Sequence, residues 1–306
     1  MKILDFLFKN KEIFFYFINE CNKKYRPGHG LSLYKDIIKK HKENNDLESF
    51  LNDEGIYPLI IKTLQAWNMD RRGARLTTVE NFKQSFSFNH VKEDLVKLSN
   101  YKLQSINNNR QIESEIIGLL ENVFLNLKVM ESKKRIVGVS KALHFLLPDL
   151  IMPIDNKYTT NFFNVSTDLK RELSTFKNIF IKIFEITKCL CLTQNDVDGK
   201  KWNTSVPKLI DNAIIGFNQY FKECVLQFND DAVEKVISVI EKFTSLKSAE
   251  KEWYKRLLET QRDKLIKSER EKIRKKLLIE KASKAGITVS EEEVGDYLAN
   301  KMSIMK

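Results

Sequence analysis

Glycine and proline are scarce, at ten and five in 306 residues, which leaves few places for the tight turns that a meander of strands needs. Abundant Lys, Glu and Ile favour helices instead, and a mostly α fold is expected. Long apolar runs are also missing. Even Phe180 to Leu192 is interrupted by Lys182, Glu185 and Lys188, short of the ~18 uninterrupted residues that a membrane span requires. The opening MKILDFLFKNKEIFFYFINE is broken by Asp5, Lys9, Lys11 and Glu12 and is followed by no small-residue cleavage site, so it does not read as a signal peptide. A soluble protein with no membrane partner is expected.

Cysteine is limited to Cys21, Cys189, Cys191 and Cys224. The single C-x-C pair lacks the second pair that a zinc site would use, and it lies in the apolar run IFEITKCLCLTQ. Buried free thiols and a reducing cytoplasm follow as expectations. There is no P-loop, no G-x-G-x-x-G, no H-E-x-x-H and no G-x-S-x-G. NDVDG at Asn195 to Gly199 lacks the acid that would close a calcium loop, so neither a metal nor an organic cofactor is expected.

What is present is positive charge. Lys and Arg number 52 against 41 Asp and Glu, for a formal net charge of +11. Such a field attracts polyanions, and nucleic acid, DNA rather than RNA, is the first candidate partner. An AT-biased genome, which enriches Lys, Asn and Ile together, would leave the same imprint.

Helical periodicity organises most of the chain. Leu4, Leu7, Phe8, Phe14, Phe15 and Ile18 mark a first helix that stops before Arg26 to Gly30. Further helices are expected over Ser32 to His41, Ile56 to Trp67, Gln111 to Val129, Leu173 to Leu192 and Val206 to Phe221. Thr78 reads as an N-cap. The composition changes near Phe243, giving a helical core over 1–244 and a basic helical tail over 245–306. From Lys247 to Lys284 charge dominates, with acid-before-base pairs such as Glu252 and Arg256 that support a solvated helix. Gly286 reads as its C-cap, and Ser290 before three glutamates as the start of a last short helix.

Chemistry concentrates in VGVSKALHFLLPDLIMPIDNKYTTNFF, Val137 to Phe163, within a hairpin near 131–165. Gly138 is expected to open a short helix that Pro148 ends, and Pro153 and Asp155 to start the next. Amides at Val139, Ser140 and Lys141, flanked by Lys134 and Arg135, would then cradle a phosphate. Gly138, Lys141 and the Pro153-Ile154-Asp155 step resemble the helix-hairpin-helix element of DNA glycosylases in degenerate form. The resemblance implies backbone binding of DNA, a catalytic role for Asp155, and a Schiff-base role for Lys141. The three segments Thr63 to Leu76, Ser140 to Phe163 and Trp202 to Phe217 also resemble a group of uncharacterised prokaryotic proteins, which implies that they meet in one site.

Each residue has a plainer alternative. Asp155 could activate water or stabilise a sugar cation, or simply cap a helix. Lys141 is a nucleophile only if its pKa is depressed, and otherwise contacts phosphate or solvent. His144 could shuttle a proton to it, or be a hydrogen-bonded structural histidine. Arg71, Arg72 and Arg75 beside Trp67 suit backbone contacts with stacking, and Trp202, Lys208 and Asp211 would join them if the segments converge. Tail residues such as Arg262, Lys267 and Arg270 could neutralise phosphates or form a solvated face that docks a protein. The leading expectation is therefore a nucleic-acid-binding helical protein. A base-removing enzyme using Asp155 and Lys141 stands second, and a protein-interaction module of a phage or defence system stands third.

Overall fold

In a computed structural model the described residues are 7–24, 28–71, 73–106, 110–165, 168–219, 234, 237–238, 240–242, 246–284, 290 and 294. They belong to two compact units, Met1–Gln219 and Tyr220–Lys306. Among the described residues there is no strand, only isolated bridges between Arg71 and Ala74 and between Leu76 and Met130, so the fold is mostly α. No helix among them is long and apolar enough to cross a membrane.

Apolar stripes and caps set the helices of the first unit. Helix α1, Lys11–Lys24, buries Ile13, Phe14, Phe17, Ile18 and Cys21 on one face. Helix α2 spans His29–Glu43, α3 spans Leu47–Asn52 and α4 spans Ile56–Ala66. Asp46 caps α3 by accepting from the Ser49 N–H. Thr78, as expected, caps α5, Val79–Gln84, by accepting from Asn81. Helices α6, Val91–Ser99, and α7, Arg110–Asn126, pair with each other. Helix α8, Ile136–Leu146, is the core helix: every residue but Val137 is buried, as in a helix packed on all sides. Two long helices, α9 over Glu172–Cys189 and α10 over Val206–Phe217, complete the unit.

The tightest contact joins α1 to α10. A Cβ added at Gly216 would lie 1.9 Å from the Phe17 carbonyl oxygen, so the two backbones touch. Ser205 caps α10 through the Lys208 N–H, and Pro207 sits in its first turn, where no N–H is needed.

Two local expectations are corrected. Gly138 does not form a turn ahead of α8: the helix begins at Ile136, and Gly138 lies inside it because Met130 packs against its missing side chain. Cys189 and Cys191 are exposed rather than buried, since the buried stripe of α9 runs through Phe176, Ile179, Ile183 and Thr187 and passes Cys189 by. Cys191 falls beyond the helix end, in a left-handed conformation. Cys21 is buried.

His144 has no contact with solvent. Its Nδ1 lies 2.6 Å from the Ile151 carbonyl, which can only accept, so Nδ1 carries the proton. Nε2 then accepts from the Tyr34 hydroxyl at 2.7 Å, and Tyr34 accepts from Thr204 at 2.6 Å. Burial, reinforced by the charge of Lys208, holds His144 down at about 3. Between that value and the unfolded value near 6.5, the unfolded chain binds a proton that the folded chain refuses. Stability should therefore fall on acidification below about pH 6.5, by about 1.4 kcal/mol per unit from this group. Denaturant midpoints at pH 7 and pH 5 measure it, and the slope should flatten in His144→Phe.

In the second unit the long charged helix α11, Ser248–Lys284, has 37 residues and spans about 55 Å at 1.5 Å per residue. Glu252 and Arg256 form the expected i,i+4 pair at 3.3 Å. Phe243, Gly286 and the three glutamates after Ser290 lie outside the described residues.

Candidate functional site

A cavity of about 1000 Å³ opens within the first unit. Gly28 and Gly30 at the start of α2, Trp67 and Met69 after α4, and the turn from Arg71 to Ala74 form one side. Val137 and Lys141 of α8 face them, with the segment from Pro153 to Tyr158 alongside. Trp202 and the α10 residues Lys208, Asp211 and Asn212 close the floor. The three sequence segments therefore do converge, and Trp67, Arg71, Lys141, Asp155 and Lys208 share one wall-to-wall space.

Local structure explains each placement. Pairing of Thr77 N–H with the Val129 carbonyl and of Glu131 N–H with the Arg75 carbonyl anchors the strand-like base of the Arg71 turn. Within the turn Arg71 and Ala74 exchange both backbone hydrogen bonds around Gly73, whose φ of +86° favours glycine. Asp155 caps the π-helical turn Asn156–Thr160, with Oδ1 accepting from the Lys157 N–H at 2.7 Å. Capping is thus one of its roles, while its Oδ2 faces the cavity side chain of Lys141.

The floor carries balanced charge. Lys208 and Asp211 are buried and paired at 2.5 Å. The Lys208 ammonium also lies 5.3 Å from the ring centres of both Trp67 and Trp202, held between two indoles. Burial raises the Asp211 carboxyl above the usual range, with Lys208 pulling the other way. Lys141 is 7% exposed; its Nζ lies 3.6 Å from Asp155 Oδ2, 3.5 Å from Met69 Sδ and 5.8 Å from the Trp67 ring centre. Burial pushes this amine below the usual lysine range, opposed by Asp155 and Asp211. Burial likewise pushes the Cys21 thiol up to about 12, so that wall is chemically inert.

The indoles are fixed from below. Trp67 donates to the Gly30 carbonyl at 3.3 Å and packs edge-on against Phe145 at 4.8 Å. Tyr34 stacks on Trp202 on one side and on His144 on the other. His144 therefore supports the aromatic floor and has both ring nitrogens occupied, the hydrogen-bonded structural histidine weighed above against a proton shuttle.

The phosphate cradle expected at the start of α8 is already filled. Glu172 Oε1 accepts from the N–H of Arg135 at 2.9 Å and of Ile136 at 3.1 Å. A carboxylate from α9 thus takes the place that an anion would occupy. The Val139 N–H donates within the helix to the Arg135 carbonyl. Ser140 is buried, its hydroxyl donating to the Val137 carbonyl and accepting from the Ile154 N–H. Gly138 and Ser140 are therefore structural here. Arg135 points its guanidinium to the Leu125 carbonyl and the Phe124 ring rather than into the cavity. Arg75 pairs loosely with Glu131 at 3.9 Å outside it, and Arg72 lies outside the described residues.

Lys134, Arg71 and Lys157 do line the cavity and are exposed, and among the described residues neither Lys134 nor Arg71 has an ion-pair partner. Glu172 and Met69 escaped the sequence reading. An acid opening a helix is ordinarily read as serving its own helix, so nothing local marked Glu172 as the cap of another. Among the described residues no three His, Cys, Asp or Glu side chains are grouped to hold a metal ion. Comparison of the chain with family models, with curated proteins and with solved structures gives no match.

Proposed function

We propose that the chain binds nucleic acid and draws a single nucleotide into this cavity, with DNA as the expected polymer. The observation that carries the reading is the convergence of two indoles, two buried lysines and two carboxylates with exposed cations lining the same cavity. Arg71, Lys134 and Lys157 are placed to hold phosphates at the mouth. The floor offers aromatic faces and both hydrogen-bonding senses to a base removed from its stack, a removal that costs a few kcal/mol and is least for unpaired or damaged bases. The volume lies at the upper end of small-molecule pockets, roughly 300–1,000 Å³, and accommodates a nucleotide. Phosphate contacts come from rim side chains, because Glu172 occupies the helix end.

Binding of labelled single- and double-stranded DNA and RNA to the full chain across a salt series tests this. Affinity should fall steeply with salt, and the double variant Arg71→Ala, Lys134→Ala should lower the slope by about two, at roughly 0.9 per phosphate contact on duplex DNA. Failure to bind all four polymers at low salt overturns the reading.

A second reading has its own observation. The close approach of Lys141 and Asp155, with the amine depressed by burial, suits attack of Lys141 Nζ on C1′ of the captured nucleotide, the C1′–N glycosidic bond breaking and the base leaving with the proton the amine gives up, in line with the glycosylase resemblance. It predicts a covalent adduct, trapped by borohydride, between the chain and an oligonucleotide bearing an abasic site. The adduct should be lost in Lys141→Gln, and its persistence there would exclude this role.

A further inference from the structure

The two buried lysines of the cavity floor are not equivalent. Lys208 is fully engaged, with a carboxylate at 2.5 Å and two indoles against it. Lys141 is not. Among the described residues its three donor hydrogens meet a carboxylate oxygen at 3.6 Å and a thioether sulfur at 3.5 Å. Charge-assisted N–H···O contacts normally close to about 2.7–2.9 Å, so this buried ammonium lacks a strong acceptor. Burying a charge without such partners is costly, and an acceptor on a ligand would relieve that cost.

Beside it stands a group of the opposite sense. Asp155 gives one oxygen to the Lys157 N–H and turns the other, Oδ2, toward Lys141, and its side chain is one-third exposed. A ligand edge entering here meets one donor and one acceptor side by side. Every standard nucleobase answers that pair. On the edge used for base pairing, guanine, thymine and uracil set a carbonyl beside a ring N–H, and adenine and cytosine set a ring nitrogen beside an amino group. The second arrangement is the first with the ring turned over, and a cavity of about 1000 Å³ has room for either face. The indoles of Trp67 and Trp202 are equally impartial, since every base has a face to stack.

Resting on the nucleotide-binding reading, we propose that the cavity reads the free pairing edge of a base without regard to which base it is, so that its ligand class is the unpaired nucleotide of any sequence. Lys141 donates to the carbonyl or ring nitrogen, and Asp155 accepts from the neighbouring N–H. A base within a duplex spends that edge on its partner and is refused. So is a base whose edge lacks the adjacent donor. 3-Methylthymine, with its ring N–H replaced by a methyl, and unsubstituted purine, with no amino group, offer acceptors alone and would displace water from Asp155 without giving it a donor in return. Sites built to hydrogen-bond a polar edge reject analogues that leave the site's own groups unpaired.

Fluorescence anisotropy of the full chain at low salt tests this, with labelled strands of abasic spacers that carry one base at the centre. The phosphates then stay constant while a single base varies, and mixed-sequence DNA and RNA are measured alongside. Each standard base should tighten binding at least tenfold over the wholly abasic strand, by amounts within threefold of one another, whereas 3-methylthymine and purine should gain less than threefold. Asp155→Asn keeps the oxygen that caps the turn and sets an amino group in place of the free one, and Lys141→Met removes the donor. Each should cut the gain from a standard base at least threefold, and a gain unchanged in both folded variants overturns the assignment of these two residues. Three results overturn the inference while polymer binding leaves the nucleic-acid reading standing: blocked bases gaining as much as intact ones, one standard base exceeding the others tenfold, or no gain from any base. Failure to bind the strands and the mixed-sequence polymers alike removes both.

Discussion

Gly216→Ala is expected to be among the most damaging single substitutions in the first unit, costing about 3 kcal/mol or more, at or above the upper end for overpacked cores. In an open helix this change would be favourable by about 1 kcal/mol, because alanine is the better helix former. Here the added methyl would stand 1.9 Å from the Phe17 carbonyl oxygen and 3.1 Å from the Cys21 nitrogen. Both belong to backbone, which cannot rotate away as a side chain would. α1 and α10 would have to separate, and theirs is the most extensive helix pairing in the unit. Because α10 carries Lys208 and Asp211, the separation would also disturb the cavity floor. Guanidinium denaturation measures the loss. A midpoint within about 0.5 kcal/mol of the parent would show that the helices do not meet as closely as described.

Asp211→Ala should cost about as much by a different route. It leaves the Lys208 ammonium buried, with aromatic faces and no counter-charge, and breaking a buried pair from one side typically costs about 3–5 kcal/mol. The informative comparison is the double variant Lys208→Met, Asp211→Leu, which removes both charges and keeps the volume. Its stability should return to within about 1 kcal/mol of the parent or exceed it, since paired burial of two ions gains little over good apolar packing. A double variant as unstable as Asp211→Ala would mean that the pair itself, rather than the orphaned charge, holds the floor together. Ligand binding should fail in the double variant even where folding is restored, which separates the structural task of the pair from its place in the site.

Much of the architecture follows from local patterns. The 3.6-residue spacing in α1, α4, α9 and α10 marks their buried faces, and Thr78 announces a helix start that its side chain does cap. The convergence of Trp67, Lys141, Asp155 and Lys208 also matches the grouping suggested by three separated segments. The illegible features are those that depend on a distant partner. Gly138 looks like a turn residue until Met130 is seen against it, and Glu172 looks like an ordinary first-turn acid until it reaches across to Arg135 and Ile136. Cys189 sits in an apolar run, yet its position on α9 falls off the buried stripe, which leaves the thiol exposed.

The separation between exposed cations at the rim and buried ones at the floor has a kinetic meaning. Arg71 and Lys134 act on an approaching anion through solvent, within a Debye length of about 8–10 Å at physiological salt, so added salt should slow its arrival. Lys141, Lys208 and Asp211 sit where mobile ions penetrate little, so the residence time of a captured group should change far less with ionic strength. Entry and exit would then answer to different residues, and the two could be tuned independently.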